Sequence, residues 1–117
     1  MIKSIGSSLS SLKAFGKKMA VSANNVANIE SEGFKKSRAV IKEGRNNGVE
    51  VEITRDNSPG HPIIETIDGQ TVEKELSNVD LAEEIPQTIQ CQRGYEANLK
   101  HIETQDEMLG SLLDIIG

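Results

Sequence analysis

The sequence predicts an α+β fold: long N- and C-terminal helices pairing as a coiled coil, with a small antiparallel β-hairpin region between them. Three patterns predict it. Apolar residues recur at three- and four-residue steps near both ends of the 117-residue chain, which is helical spacing. In the middle, valines and isoleucines alternate with charged and polar residues, which is strand spacing. Asn-Gly and Asp-Gly pairs interrupt the alternating runs where hairpins turn. The chain divides accordingly into 1–36, an N-terminal helix with an Asn-rich segment, 37–76, a small β region, and 77–117, a C-terminal helix.

Residues 1–28 are predicted as one helix. Ile2, Leu9, Gly16 and Ala23 fall at one heptad position, and Ile5, Leu12, Met19 and Val26 at the other. Phe15 widens this stripe, while Gly16 and Ala23 leave shallow places where another backbone can come close. Its many serines, with Gly6 and Gly16, weaken the helix intrinsically, so its order is expected to depend on partners. Asn24, Asn25, Asn28 and Gly33 supply stop signals. The asparagines suit either of two roles, capping terminal backbone groups or bridging to a neighbouring element.

In the β region, Val49, Val51 and Ile53 alternate with Glu50, Glu52 and Thr54. Asn47-Gly48 predicts a hairpin joining this strand to Arg38–Glu43. Asp56-Asn57-Ser58-Pro59-Gly60 reads as a loop. Asp68-Gly69 predicts a second hairpin between Ile63–Ile67 and 70–76. The expectation is one antiparallel sheet of three or four short strands.

The last helical stretch, 79–116, carries Leu81, Ile85, Ile89, Tyr95, Leu99, Ile102, Leu109, Leu113 and Ile116, with Met108 and Leu112 broadening the face. Asp80 and Glu83 form a capping pair on spacing. Pro86 removes one helical hydrogen bond, and is expected to kink this helix or delay its start to about Ile85. The two apolar stripes suit pairing with each other or with other copies. Gln90, Gln92, Arg93 and Gln105 suit a solvated face or a polar seam.

Composition narrows the function. The chain has 36% apolar residues and three aromatics, too few to enclose a deep apolar pocket. No stretch approaches the 18 apolar residues of a membrane span, so no membrane insertion is expected. One cysteine, Cys91, precludes an intramolecular disulfide, and two histidines alone do not make a typical zinc site. Cys91 has no Cys-x-x-Cys partner and reads as a packed structural residue. Adjacent carboxylates on a helix point about 100° apart, so Glu83-Glu84 and Asp106-Glu107 do not converge as acid–base pairs. Asp56–Gly60 lacks the glutamate that closes a calcium loop. No cofactor, no small-molecule substrate and no catalytic residue are therefore expected. Residues 1–42 carry eight Lys/Arg and two Glu, a net +6, and residues 43–117 carry five Lys/Arg and sixteen Asp/Glu, a net −11. The basic residues are dispersed and lack aromatic stacking partners, so nucleic acid is not an expected ligand. Ser7, Ser8, Ser10 and Ser11 break any apolar run of a cleaved signal peptide.

Two segments carry a resemblance. One is Ser22-Ala23-Asn24-Asn25-Val26-Ala27-Asn28 with Gly33-Phe34-Lys35-Lys36-Ser37. The other is Leu76-Ser77-Asn78-Val79-Asp80-Leu81-Ala82, followed by Gln92-Arg93-Gly94-Tyr95-Glu96-Ala97-Asn98 and Asp106-Glu107-Met108-Leu109. They resemble the N- and C-terminal signatures of the bacterial flagellar axial proteins of the rod and hook. The resemblance implies a structural, non-enzymatic subunit, exported through the flagellar type III apparatus without a cleaved signal. It further implies assembly in the periplasmic rod of the basal body, with copies of itself and other axial proteins, through the terminal helices. Ile5, Leu12, Met19 and Val26 on one helix, and Tyr95, Leu99, Ile102, Leu109 and Leu113 on the other, become packing or assembly residues. Asn24, Asn25, Asn28, Asn78, Asp80, Arg93 and Asn98 become the signature polar positions. The competing reading is a soluble helical adaptor or export-chaperone-like protein whose stripes grip a partner helix.

Overall fold

The computed structural model describes residues 2–117. Met1, included in the expected first helix, lies outside the described residues, as does the side chain of Ile2. Two helices bracket four strands: α1 Ile2–Ala27, β1 Ser37–Glu43, β2 Val49–Arg55, β3 Pro62–Ile67, β4 Gln70–Glu75 and α2 Leu81–Ile116. At 1.5 Å per residue α1 is about 39 Å long and α2 about 54 Å. The molecule is a rod with extents of 82 × 23 × 18 Å.

The helices pair antiparallel in one register. The Gln105 amide donates to Ser4 Oγ, the Phe15 ring tip faces Gly94, and Asn25 donates to Glu84. Ten- or eleven-residue steps along α1 are matched by equal steps back along α2. The close-packed line of α2 is therefore the heptad Glu84, Cys91, Asn98 and Gln105, of which only Asn98 is not fully buried. Its counterpart on α1 includes Ser8, Ser22 and Asn25, all buried. Small and polar side chains fill this seam. The apolar stripe runs beside it.

α2 begins at Leu81, four residues before the late start expected from Pro86. Asp80 has an extended backbone and its carboxylate accepts from Ala82 N at 3.0 Å. That cap secures the first turn, and Pro86 is carried inside the helix. Only half of the expected capping pair forms, because Glu83 turns instead to Arg38 and Lys36.

The expected single sheet is two separate two-stranded ribbons. β1 and β2 pair antiparallel, with Ala39 opposite Ile53 and Ile41 opposite Val51, and lie along α1. Ser10 on α1 ties this ribbon down, accepting from Val49 N at 2.7 Å and donating to Val49 O at 3.1 Å. The turn sits one residue earlier than the Asn-Gly pair predicts: Asn46 and Asn47 take positive φ, as short polar side chains tolerate. Gly48 answers a different need, since a Cβ there would come within 2.9 Å of Ser10 Oγ. β3 and β4 close through Asp68-Gly69, both at positive φ, the two-residue turn expected. Among the described residues this second ribbon packs on no other strand or helix; loop residues hold it instead, Gly33 N donating to Glu75 O at 2.8 Å and Lys74 standing 3.6 Å from Glu32. The apolar core is small: among the described residues, Ala14, Ala39, Val79 and Cys91 are its buried members.

Candidate assembly interface

The end of α1, the start of β1, the loop after β2 and the start of α2 meet at one junction, held by two asparagine side chains. Asn25 Oδ1 accepts from Ser37 N at 3.0 Å, and its Nδ2 donates to Ser37 O at 2.8 Å and to Glu84 Oε1 at 3.2 Å. A side-chain amide thus pairs with the first residue of β1 as a neighbouring strand would. Asn78 Oδ1 accepts from Lys36 N at 2.7 Å, and its Nδ2 donates to the carbonyls of Asp56 at 2.8 Å and Ser58 at 2.9 Å. Asn78 spends both donors and its acceptor on backbone, and Asn25 spends its acceptor and one donor there and the other donor on Glu84, at backbone groups that would be costly to leave unpaired.

The other signature residues divide by place. Asn28 Nδ2 donates to Asn24 O at 2.8 Å, a C-cap, while Asn25 is the bridge. Asp80 caps α2 at the same junction. Asn98 lies further along α2 and donates to Gly94 O at 2.8 Å within its own helix. Arg93 is apart from the junction, its side chain 80% exposed and 3.6 Å from Glu96.

Sequence reasoning passed over the charged part of this junction. Arg38 and Lys36 pair with Glu83, the latter at 3.0 Å, and hold its carboxyl below the usual range. Glu84 is fully buried, with Arg38 Nη1 3.7 Å from its Oε1. Arg38 Nη1 and Glu84 Oε2 are both buried without a hydrogen bond. A signal for Glu84 was present in the seven-residue spacing it shares with Cys91, Asn98 and Gln105. Burial pushes the Cys91 thiol pKa up, against a weaker opposing pull from Lys18.

An open cleft of about 600 Å³ borders the junction, lined by residues including Lys36, Asp56, His61, Asn78 and Glu83. Its ionic and amide groups are occupied. Glu83 is ion-paired, Asp56 is held low by the Ser58 hydroxyl and backbone N–H, and Asn78 is spent on backbone. No group of three His, Cys, Asp or Glu suited to a metal occurs among the described residues.

The apolar stripe residues lie at the rims of the helix pair. Ile5, Leu12, Met19, Ile102 and Leu109 are half-buried, and Val26, Tyr95, Leu99 and Leu113 are exposed. In the register set by Ser4–Gln105, the end of α2 passes beyond Ile2. There Met108, Leu112, Leu113, Ile115 and Ile116 are exposed, Ile116 on a last turn closed by Gly117 N donating to Leu113 O at 2.7 Å. Large contiguous apolar patches on solvent are characteristic of contact surfaces in general.

Residues 74–115, which include all of this helix but its last residue, match the family described as flagellar basal body rod FlgEFG protein C-terminal. The C-terminal third of the chain is thus similar to the flagellar basal-body rod family. Among curated proteins, the chain is similar to the flagellar basal-body rod protein FlgG of Buchnera aphidicola subsp. Acyrthosiphon pisum, 55% identical over 38 residues, which is 32% of this chain and 15% of that protein. It is likewise similar to FlgG of Bacillus subtilis strain 168, 46% identical over 41 residues, 35% of this chain and 16% of that protein. The matched stretch thus spans about a sixth or less of those relatives. No helix among the described residues is long and apolar enough to cross a membrane.

Proposed function

We propose that this chain is a structural subunit of the bacterial flagellar basal-body rod, assembling with copies of itself and with other axial proteins. One observation carries the reading. The helix that matches the rod family turns most of its large apolar side chains outward, while its seam with α1 is filled mainly by Ser, Asn, Gln, Glu and Cys beside Ala14 and Phe15. A helix pair built this way spends little apolar surface on itself and offers the rest to neighbours. Ile5, Leu12, Met19, Val26, Tyr95, Leu99, Ile102, Leu109 and Leu113 are the proposed assembly residues. The junction asparagines set the angle at which the β region leaves the helices. The same reading places the chain in the periplasmic rod, delivered unfolded by the flagellar type III export apparatus. Its role is architectural rather than catalytic.

The test is mass spectrometry of basal bodies purified from the native host, with this chain quantified against known rod and hook subunits. Enrichment in fixed proportion to those subunits is the expected result. Its absence from intact basal bodies, with abundance in the cytosol, overturns the proposal in favour of an adaptor that grips one partner helix.

A further inference from the structure

The line of α2 that faces α1 continues past the reach of α1 itself. Glu84, Cys91, Asn98 and Gln105 form that line, and the same seven-residue step leads next to Leu112. Glu84 and Gln105 on it bond to α1, but Leu112 is 47% exposed. In the register of Gln105 with Ser4, Leu112 stands seven residues past Ser4, whereas α1 among the described residues reaches only Ile2. Met108 and Ile115 join Leu112 in an open groove of about 410 Å³, with Glu107 on its wall. A surface shaped to receive a helix thus goes on, more apolar than before, where its own partner helix has ended.

Charge selects what covers it. Residues 104–117 carry Asp106, Glu107 and Asp114 and no Lys or Arg, a net −3. All three are exposed and enter no ion pair among the described residues, and Lys100 before them is held by Glu103 at 3.0 Å. Two such ends repel each other, and residues 37–75 also sum to −3, from five Lys/Arg and eight Asp/Glu. α1 holds Lys3, Lys13, Lys17 and Lys18 and no acidic residue. Its exposed Lys3, Lys13 and Lys17 enter no ion pair among the described residues. Arg45 and Glu50 of the adjoining ribbon border the same side and offset each other, so this face keeps a net +3. Leu9, 44% exposed, stands beside Lys13 and Lys17.

We infer that the exposed end of α2 docks antiparallel on α1 of a second copy of this chain, Leu112 and Met108 lying against Leu9. The docking repeats between copies the antiparallel pairing already made within each. Leu112 stands seven residues past Ser4 and Leu9 five before it, so the second copy is displaced by about 18 Å along the helix axis. Asp106 and Glu107 then fall level with the stretch between Lys13 and Lys17. Different surfaces meet on the two copies, so the contact is heterologous and repeats from copy to copy. It rests on the proposed self-assembly and names the surfaces that one of its contacts uses.

The test mixes two variants of the full chain. One is Gly6→Cys on α1, where a side chain meets nothing within 4 Å, and the other is Ser111→Cys on the groove wall. Native Cys91 is fully buried, and wild type treated alike is the control. A short bis-maleimide is expected to give a mixed dimer. Adding Asp106→Lys and Glu107→Lys to the Ser111→Cys chain should lower its yield about fivefold or more. Adding Lys13→Glu and Lys17→Glu to the Gly6→Cys chain should then restore it. A dimer of the Ser111→Cys chain with itself, in place of the mixed one, overturns the choice of α1. So does a mixed dimer indifferent to both sets of charge reversals. Wild-type self-association by light scattering without the mixed dimer overturns the docking and leaves assembly standing. A wild-type chain that stays monomeric at millimolar concentration, with no mixed dimer, overturns both.

Discussion

The ring tip of Phe15 occupies the space where residue 94 would carry a Cβ. An atom built there would lie 2.6 Å from two ring carbons and 2.9 Å from a third. Glycine at 94, a weak point by helix propensity alone, is what lets α1 and α2 close on each other. Gly94→Ala should therefore destabilise the chain by about 1–3 kcal/mol through overpacking. Gly110→Ala, where nothing stands within 4 Å, should stabilise it by about 0.5–1 kcal/mol. Urea unfolding followed by circular dichroism reads both. Equal effects of one sign would refute the contact.

Asn25→Ala removes both bonds to Ser37 and the one to Glu84. A loss of about 2–4 kcal/mol is expected, since part-buried backbone groups of Ser37 and the buried Glu84 carboxyl lose their partner. Amide hydrogen exchange at Ser37 should rise more than at Ile53. Uniform exchange along β1 and β2 would count against the strand-like pairing.

Arg38→Ala leaves the buried Glu84 carboxylate without its nearest cation and should cost about 3 kcal/mol or more. Arg93→Ala, on a solvated side chain, should stay within about 0.5 kcal/mol. If Arg93→Ala unfolds the isolated chain, the placement of Arg93 outside the junction is wrong. A neutral effect on folding leaves contact with a neighbouring chain as its role.

The acid response follows from Glu83. Arg38, then Lys36, lower its pKa from the ordinary 4.5. A carboxylate with a depressed folded pKa contributes stability above its unfolded value, and that contribution fades as pH falls below about 4.5 and through the lower folded value. Glu83→Gln should therefore be less stable than wild type at pH 7 and converge on it in strong acid. Parallel stability–pH curves for the two proteins would exclude the ion pairs.

Leu109→Asp places a charge on the proposed assembly stripe at a site only half-buried in the single chain. Helix content should stay near wild type, while incorporation into basal bodies fails. Normal incorporation of this variant would sink the assignment of the stripe.

The helices, the β3–β4 turn and the cap at Asp80 were legible because each is written in neighbouring residues. Periodicity and short-range turn chemistry need no knowledge of the rest of the chain. The junction was not legible in the same way. Asn25 meets Ser37, and Asn78 meets Lys36, Asp56 and Ser58, across spans that no local pattern encodes. The inner seam was hidden for another reason. Glu84, Cys91, Asn98 and Gln105 keep the heptad period as faithfully as the apolar stripe, but a search for hydrophobic spacing passes over polar residues. The single sheet failed because alternation shows that strands exist, not which of them pair. Here α1 supports one ribbon, while the other is held by the loop after α1, where Gly33 N donates to Glu75 O and Lys35 pairs with Glu75.

Among the described residues the apolar interior amounts to Ala14, Ala39, Val79 and Cys91, side chains that together displace little water. An isolated copy has correspondingly little free energy holding it in shape. Within the proposed rod, the remainder comes from surfaces shared between copies. The melting temperature of such a chain depends on how much of it is present, and dilution would unfold it as heat does.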